Sequence, residues 1–292
     1  MKLLTFLEKA VITLLGIICL SSLPAIFIFD QQLKISFTSY LLQIGETIKT
    51  LFLHPTGLSF YYKGVEKPLL SSMMEPYLYS MKILLAALTL SVVLSMIVSS
   101  SLLMMPKRLA SFVRKGTSIL NSAPDVLIII GLQLLVIFIY KQTNILLFNI
   151  VSLYDNPTYV LPIICLAIPP TIQLTKIIIL YLEDESSKDY VILARSKGIG
   201  FNKVLIAHIY RNVLLNLVPH FRSHFVFILS NLIILEYIFN INGLTKFLLD
   251  YGTSNTGVLT IGLLLLFLPI QFILLIVDGI ITKRFGIKGE YS

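Results

Sequence analysis

The sequence predicts an all-α integral membrane protein with six transmembrane helices. Three observations carry that prediction. Only 13% of the 292 residues are charged and the mean hydropathy is +0.88, whereas a soluble domain carries about 25% charged residues. Six apolar runs reach the roughly 20 residues that a helix needs to cross the hydrocarbon layer. Lys and Arg gather in alternate connections between those runs. The runs are helical by necessity, because the bilayer offers no water to unpaired backbone groups.

The six spans fall at about residues 11–29, 79–105, 118–140, 159–180, 221–240 and 257–281. The first is longer than the apolar part of a secretory signal and no A-x-A-like site follows it, so it reads as an uncleaved first helix. With the N-terminus in the cytoplasm, the inner segments 1–10, 106–117, 181–217 and 282–292 hold fourteen Lys and Arg, against six in the outer segments 30–78, 141–158 and 241–256. Positively charged loops stay inside. Both termini are therefore expected in the cytoplasm of a multi-pass protein of the cell membrane. The net charge of +8 is a topology signal, with no nucleic-acid partner implied.

Residues 1–76 read as an N-terminal helix with an extracytoplasmic loop, residues 77–285 as the transmembrane core, and residues 286–292 as a cytoplasmic tail. His54-Pro55, Thr56-Gly57 and Lys63-Gly64 mark turns in the outer excursion. Cys19 and Cys165 both lie in apolar runs, so they are expected to be buried, unpaired thiols.

The inner segment around residues 183–216 is a polar, basic island of helix-forming sequence between two apolar runs. Ser186 or Ser187 is placed to cap a helix running to Lys197, about 18 Å long if it has twelve residues. Gly198 then stands where a left-handed residue ends a helix, with Ile199 as the apolar residue packing back. Asn202 is placed to start a second helix, and Val204, Leu205, Ile209 and Leu215 form an apolar stripe leading to the fifth span. Arg195, Lys197, Lys203 and Arg211 offer positive charge, and Asp189 can cap its own helix or accept a bond from a partner.

In this island Asp189, Tyr190, Val191, Ala194, Arg195, Lys197, Gly198, His208, Arg211 and Asn212 stand in one register. That pattern resembles the cytoplasmic EAA loop of ABC importer permeases of the dipeptide/oligopeptide/nickel family. The resemblance extends over about residues 77–285: Asn121-Ser122-Ala123-Pro124 is similar to the start of the family's third span, Pro162 to its fourth, Glu236, Phe239 and Asn242-Gly243-Leu244 to the segment closing its fifth, and Asp278 to its last. It departs at Asn216 and Asn242, where the family has proline, and at Lys176 and Ile179 in place of an arginine pair.

The resemblance implies a type I ABC importer transmembrane domain. Asp189, Tyr190, Ala194, Arg195, Lys197, Gly198, His208, Arg211 and Asn212 would then couple to cytoplasmic ABC ATPase subunits. Its implied partners are those ATPases, a second permease subunit (a paralogue or a copy), an extracytoplasmic solute-binding protein and membrane lipid. Its implied cargo is a peptide, nickel or a related small solute. No G-x-x-x-x-G-K-[ST] occurs, so this chain is expected to bind no cofactor, with ATP and Mg on the partner subunits. No nucleophile–base pair or HExxH points to an enzyme.

Glu236 and Asn231 are polar residues within a span, expected to line the translocation path or to bond neighbouring helices. Ser230 and Gln271 are expected in helix–helix bonds. Asp278 is expected to pair with Lys283 or Arg284. His220 and His224 are spaced to share a metal but lack a nearby Cys or carboxylate, and interfacial polar roles fit them better. The alternative reading is an ion-gradient-driven secondary transporter, which needs paired Gly/Pro breaks or intramembrane acids in two halves.

Overall fold

A computed structural model describes residues 2–30, 32–53, 58–62, 64–152, 156–252 and 255–285. Among them the elements run α1 (Lys2–Ser22), a short 3-10 turn (Leu23–Ile26), β1 (Phe27–Asp30), β2 (Gln32–Ile35), α2 (Phe37–Leu53), β3 (Ser59–Tyr62), β4 (Val65–Pro68), α3 (Leu69–Met104), α4 (Lys107–Ser122), α5 (Asp125–Thr143), α6 (Val160–Ser186), α7 (Asp189–Ser196), α8 (Phe201–Val204), a π-turn (Leu205–Ile209), α9 (Tyr210–Ile238), α10 (Leu244–Tyr251) and α11 (Thr256–Phe285). Five helical stretches are long and apolar enough to cross a membrane: Leu69–Met104, Asp125–Thr143, Val160–Ser186, Phe201–Ile238 and Thr256–Ile273, with a shorter apolar one at Ala10–Ile26. These six follow the six expected spans in order.

Prolines move several boundaries. The first span was expected to reach residue 29, but helix α1 stops at Ser22. Pro24 has no N–H for the helical ladder and disfavours the helical region for the residue before it. The third expected span is split. Helix α4 ends at Ser122, Ala123 turns extended before Pro124, and α5 begins at Asp125. Helix α3 starts ten residues before the expected second span, directly after β4. Part of the outer excursion is therefore ordered, as antiparallel pairs β1–β2 and β3–β4 flanking α2. The expected turn at residues 54–57, Lys63, the side chain of Asp278 and the tail at residues 286–292 lie outside the described residues.

The chain divides into two compact units, Met1–Ser80 with Asn242–Gly279, and Met81–Ile241 with Ile280–Ser292. In the first, polar side chains tie helices together. Thr260 Oγ1 donates to Ser21 Oγ at 2.7 Å, Gln271 Nε2 to Thr13 Oγ1 at 2.7 Å, and Gln43 Nε2 to Thr256 Oγ1 at 2.8 Å. Phe60 packs edge-on against Phe247 and Tyr251, with ring centroids 5.3 Å away in each case. Cys19 is exposed, contrary to expectation, while Cys165 is buried. Cys19 shares α1 with the buried Ile17, Ile18, Ser21 and Ser22 but points away from that packed face.

In the second unit α6 and α9 form the central pair. Leu174, Ile178 and Leu182, four residues apart on one face of α6, pack against Val204, Leu205, Ile209, Val213 and Leu217. A stripe of buried serines on α3 (Ser91, Ser95 and Ser99) presents small side chains at the same four-residue spacing, which permits close helix approach. Ser91 Oγ lies 3.0 Å from His224 Nε2, and Tyr210 OH donates to the carbonyl of Met96 at 2.9 Å and bonds to Ser100.

Gly252, directly after α10, tests the packing of the first unit. A Cβ there would come within 2.4 Å of the Leu248 carbonyl and 2.6 Å of the Leu259 side chain. Gly252→Ala is expected to destabilise the protein by about 1–3 kcal/mol, the usual cost of overpacking. Gly131→Ala, where a Cβ meets nothing within 4 Å, should show no such loss when both are followed by thermal unfolding in detergent.

Candidate functional site

The polar island folds as a helix, an elbow and a helix at one end of the α6–α9 pair. Helix α7 spans eight residues, Asp189–Ser196, about 12 Å, which is shorter than expected. Ser186 and Ser187 do not cap it. Ser186 Oγ donates to the Leu182 carbonyl at 2.5 Å and Ser187 Oγ to the Asp184 carbonyl at 2.7 Å, so both finish α6. Lys188, in extended conformation, is the residue that precedes α7.

The elbow follows the expected glycine motif. Gly198 has φ +79°. Its N–H donates to the Arg195 carbonyl at 2.9 Å, and the Ile199 N–H to the Ala194 carbonyl at 3.3 Å, the paired bonds of a Schellman ending. The next helix starts from Gly200 instead of Asn202. Its first turn runs into the π-turn, where the Tyr210 N–H reaches back five residues to the Leu205 carbonyl. The stripe therefore continues through Val213 and Leu217, which are buried, and Leu215 is only half-buried.

One face of this elbow is open. Asp189, Arg195, Lys197, Gly198, Lys203, His208 and Arg211 are exposed. Asp189 opens α7, where its charge complements the helix dipole. The Arg195 guanidinium stacks over the Phe201 ring, 5.6 Å from its centroid, which braces α7 against α8. Between the charges stand exposed apolar side chains, Ile192 and Leu193 on α7 and Ile206 in the π-turn. Lys197–Lys203 line a shallow depression in the bend.

The opposite face is anchored by a residue that sequence reasoning passed over. Glu185, in the last turn of α6, has a side chain only 2% exposed. Its Oε1 accepts from Tyr190 OH and from Asn212 Nδ2, each at 2.7 Å, and its Oε2 accepts from Lys188 Nζ. Asn212 Nδ2 also donates to Tyr190 OH at 3.3 Å. Tyr190 and Asn212 thus meet each other and Glu185, Val191 is buried and Ala194 half-buried, and the charged island residues lie on the open face. Lys188 is 46% exposed and its Nζ also stands 3.9 Å from Asp184 Oδ2, so water and a second carboxylate compete for its charge. Leaving a buried donor without its carboxylate costs about 1–3 kcal/mol, so the bonds from Tyr190 and Asn212 dominate. A signal for Glu185 was present. Helix C-termini favour cations, yet Glu183, Asp184 and Glu185 end α6. Arg114 of α4 pairs with Glu183 at 2.5 Å.

The remaining candidates resolve individually. Asn231 Nδ2 donates to Asp125 Oδ2 at 3.3 Å, joining α9 to α5. Glu236 is fully buried, and its carbonyl accepts the Ile241 N–H at 2.8 Å beyond the left-handed Asn240. Gln271 bonds between helices as expected, whereas Ser230 Oγ returns to the Val226 carbonyl of its own helix, the local bond open to any serine four residues on. His220 Nε2 lies 2.9 Å from Tyr181 OH, a different partner from that of His224. Among the described residues no group of three His, Cys, Asp or Glu is placed to hold a metal.

Comparison with known proteins then decides the family. The family described as "Binding-protein-dependent transport system inner membrane component" matches residues 91–287, which include α4 to α11 and the whole elbow. The chain belongs to this family. It is 27% identical over 120 residues to the oligopeptide transport system permease protein AmiC of Streptococcus pneumoniae, covering 41% of this chain and 24% of that protein. It is 29% identical over 112 residues to the inner membrane ABC transporter permease protein YejB of Escherichia coli O157:H7, covering 37% and 31%. With the dipeptide transport system permease protein DppB of Lactococcus lactis it shares 23% identity over 249 residues, 83% of this chain and 77% of that protein. The matches thus span less than a third of the first two relatives and about three quarters of the third.

Burial, and then the hydrogen bond to the Glu185 carboxylate, push the Tyr190 phenol up to about 12. Lys188 is also raised, chiefly by its bond to Glu185. A tyrosine whose folded pKa exceeds its unfolded value of about 10 contributes stability that is complete below pH 10 and disappears as pH rises through the folded value. The tyrosinate absorbance of the folded protein is therefore expected to include a late step near pH 12 that Tyr190→Phe removes. Loss of a step at pH 10 instead would contradict the buried hydrogen bond.

Proposed function

We propose that this family member is a permease subunit of an ATP-driven importer for peptides. Its translocation path would be completed by a second permease subunit, and its energy supplied by separate cytoplasmic ATPases that carry ATP and Mg. An extracytoplasmic solute-binding protein delivers the cargo. Peptide is preferred to nickel because the relatives' names specify oligopeptide, dipeptide and peptide transport. The Lys and Arg excess supports placing both termini, and the elbow with them, on the cytoplasmic side.

The observation that carries this reading is the exposed elbow at the shared end of α6 and α9. Asp189, Arg195, Lys197, His208 and Arg211 supply its polar rim, and Ile192, Leu193 and Ile206 its apolar centre. An interface needs both, a desolvated centre and a charged border that sets register. Tyr190, Ala194 and Asn212 are its half-buried inner side.

Gly198 provides the test. A Cβ there meets nothing within 4 Å in this chain, so bulk at this position disturbs a partner more than the chain itself. Gly198→Ala carries only the left-handed strain, about 1 kcal/mol, and is expected to keep capture of the cognate ATPases and import of radiolabelled trialanine. Gly198→Trp is expected to lose both. Unchanged capture and import in the tryptophan variant would sink the proposal.

A further inference from the structure

The elbow's grip on the membrane helices is the feature that the proposed function leaves unexplained. Helix α7 is eight residues long, and Val191 is its one buried residue among those described. Such a short helix, exposed on one side, transmits displacement only if something fixes it to the spans. The candidate link is the set of side chains behind the elbow, which lies away from the open docking face.

We propose that Glu185 is a positioning residue, a latch whose carboxylate makes α7 and the facing ends of α6 and α9 move as one body. The inference rests on the reading of the chain as an ATP-driven importer. The geometry is specific. Glu185 belongs to α6, Tyr190 to the first turn of α7 and Asn212 to the first turn of α9. One oxygen, Oε1, takes a 2.7 Å bond from each of the two partners. A single acceptor shared in this way fixes three elements against each other. The third bond of the cluster, from Asn212 to the Tyr190 hydroxyl at 3.3 Å, closes it into a triangle. A triangle of bonds resists shear in a way that a lone pair does not. The apolar layer beneath, with Ile178 and Leu182 on α6 and Val204, Leu205 and Ile209 before α9, slides more readily because packing contacts have no direction.

The latch assigns different work to the two faces. The exposed face, with Arg195 and Gly198, governs whether an ATPase binds. The buried face, with Glu185, Tyr190 and Asn212, governs whether ATP hydrolysis reaches the spans. Lys188 is set apart, since it meets the second carboxylate oxygen from the solvent side. The latch is therefore expected to need an oxygen acceptor at this position and not a negative charge. That separates it from a plain ion pair.

The experiment uses the full chain with its cognate permease, ATPases and binding protein in proteoliposomes, with radiolabelled trialanine as the probe. ATPase capture, ATP hydrolysis and uptake are measured together. Glu185→Ala is expected to retain ATPase capture while uptake per ATP hydrolysed falls by about tenfold or more, the factor for losing a buried charged acceptor. Glu185→Gln keeps an oxygen for Tyr190 and Asn212, and is expected to stay within about threefold of the unaltered chain, since the half-exposed Lys188 can turn to Asp184 and to water. Tyr190→Phe removes one hydroxyl without opening a cavity, and serves if the alanine variant fails to reach the membrane. It is expected to lower uptake per ATP in the same direction.

Unchanged coupling in Glu185→Ala or, where that variant does not accumulate, in Tyr190→Phe, overturns the latch. So does a glutamine variant as defective as the alanine one, which would make charge the operative property. If the unaltered chain captures no ATPase or imports no trialanine, the importer reading itself falls, and the latch with it.

Discussion

A backbone that crosses a hydrocarbon layer must keep its hydrogen bonds to itself, and this constraint governs how the chain spends its polar side chains. Within the spans most hydroxyls turn back on their own helix. Ser95 and Ser99 bond carbonyls three residues earlier, and Thr171 and Ser230 carbonyls four residues earlier. The hydroxyl is satisfied locally, and the side chain stays small enough for a neighbouring helix to come close. Bonds between helices are fewer and more specific. Ser91 with His224, Tyr181 with His220 and Asp125 with Asn231 each join two different elements of the second unit. Polar pairs of this kind give register to surfaces that apolar packing alone would leave free to slip.

The same constraint explains why order returns where the spans end. A helix end exposes carbonyls and N–H groups, and this chain closes two of its ends with one device. Gly198 after α7 and Asn240 after α9 both take left-handed conformations, at φ +79° and +52°, and each returns its own N–H and that of the following residue to the helix. Glycine reaches that region without strain and asparagine with little. The chain therefore leaves each helix within two residues with its last N–H groups satisfied.

Much of this was legible in the sequence, and the remainder had physical reasons for being hidden. The spans were readable because hydropathy is additive over a window, and the Gly198 elbow because only a few residue types tolerate its conformation. The exposed charges of the island were readable from spacing. Glu185 was marked only by the acidic end of α6, since its burial depends on Asn212, 27 residues away, and no local pattern contains that contact. The π-turn at Leu205–Ile209 was equally hidden: it changes which residues of the stripe face inward, so Leu215 gave way to Val213 and Leu217. The break at Ala123–Pro124 was visible as a motif, yet a span-length window begun at residue 118 averages across it. Proline acts on hydrogen bonding, which a hydropathy average does not register.

Helix α6 carries two adjacent prolines, Pro169 and Pro170, near its middle. Each removes an N–H from the ladder, so the carbonyls of Cys165 and Leu166 lack their helical donors at consecutive steps. Both prolines are buried, and the helix stays continuous because its neighbours support it there. A rod weakened at one point bends at that point when loaded at its tip. A load at Ser186 is therefore expected to bend α6 at the proline pair before it bends anywhere else along the helix. That weak point is set by the covalent chain itself and needs no ligand to create it.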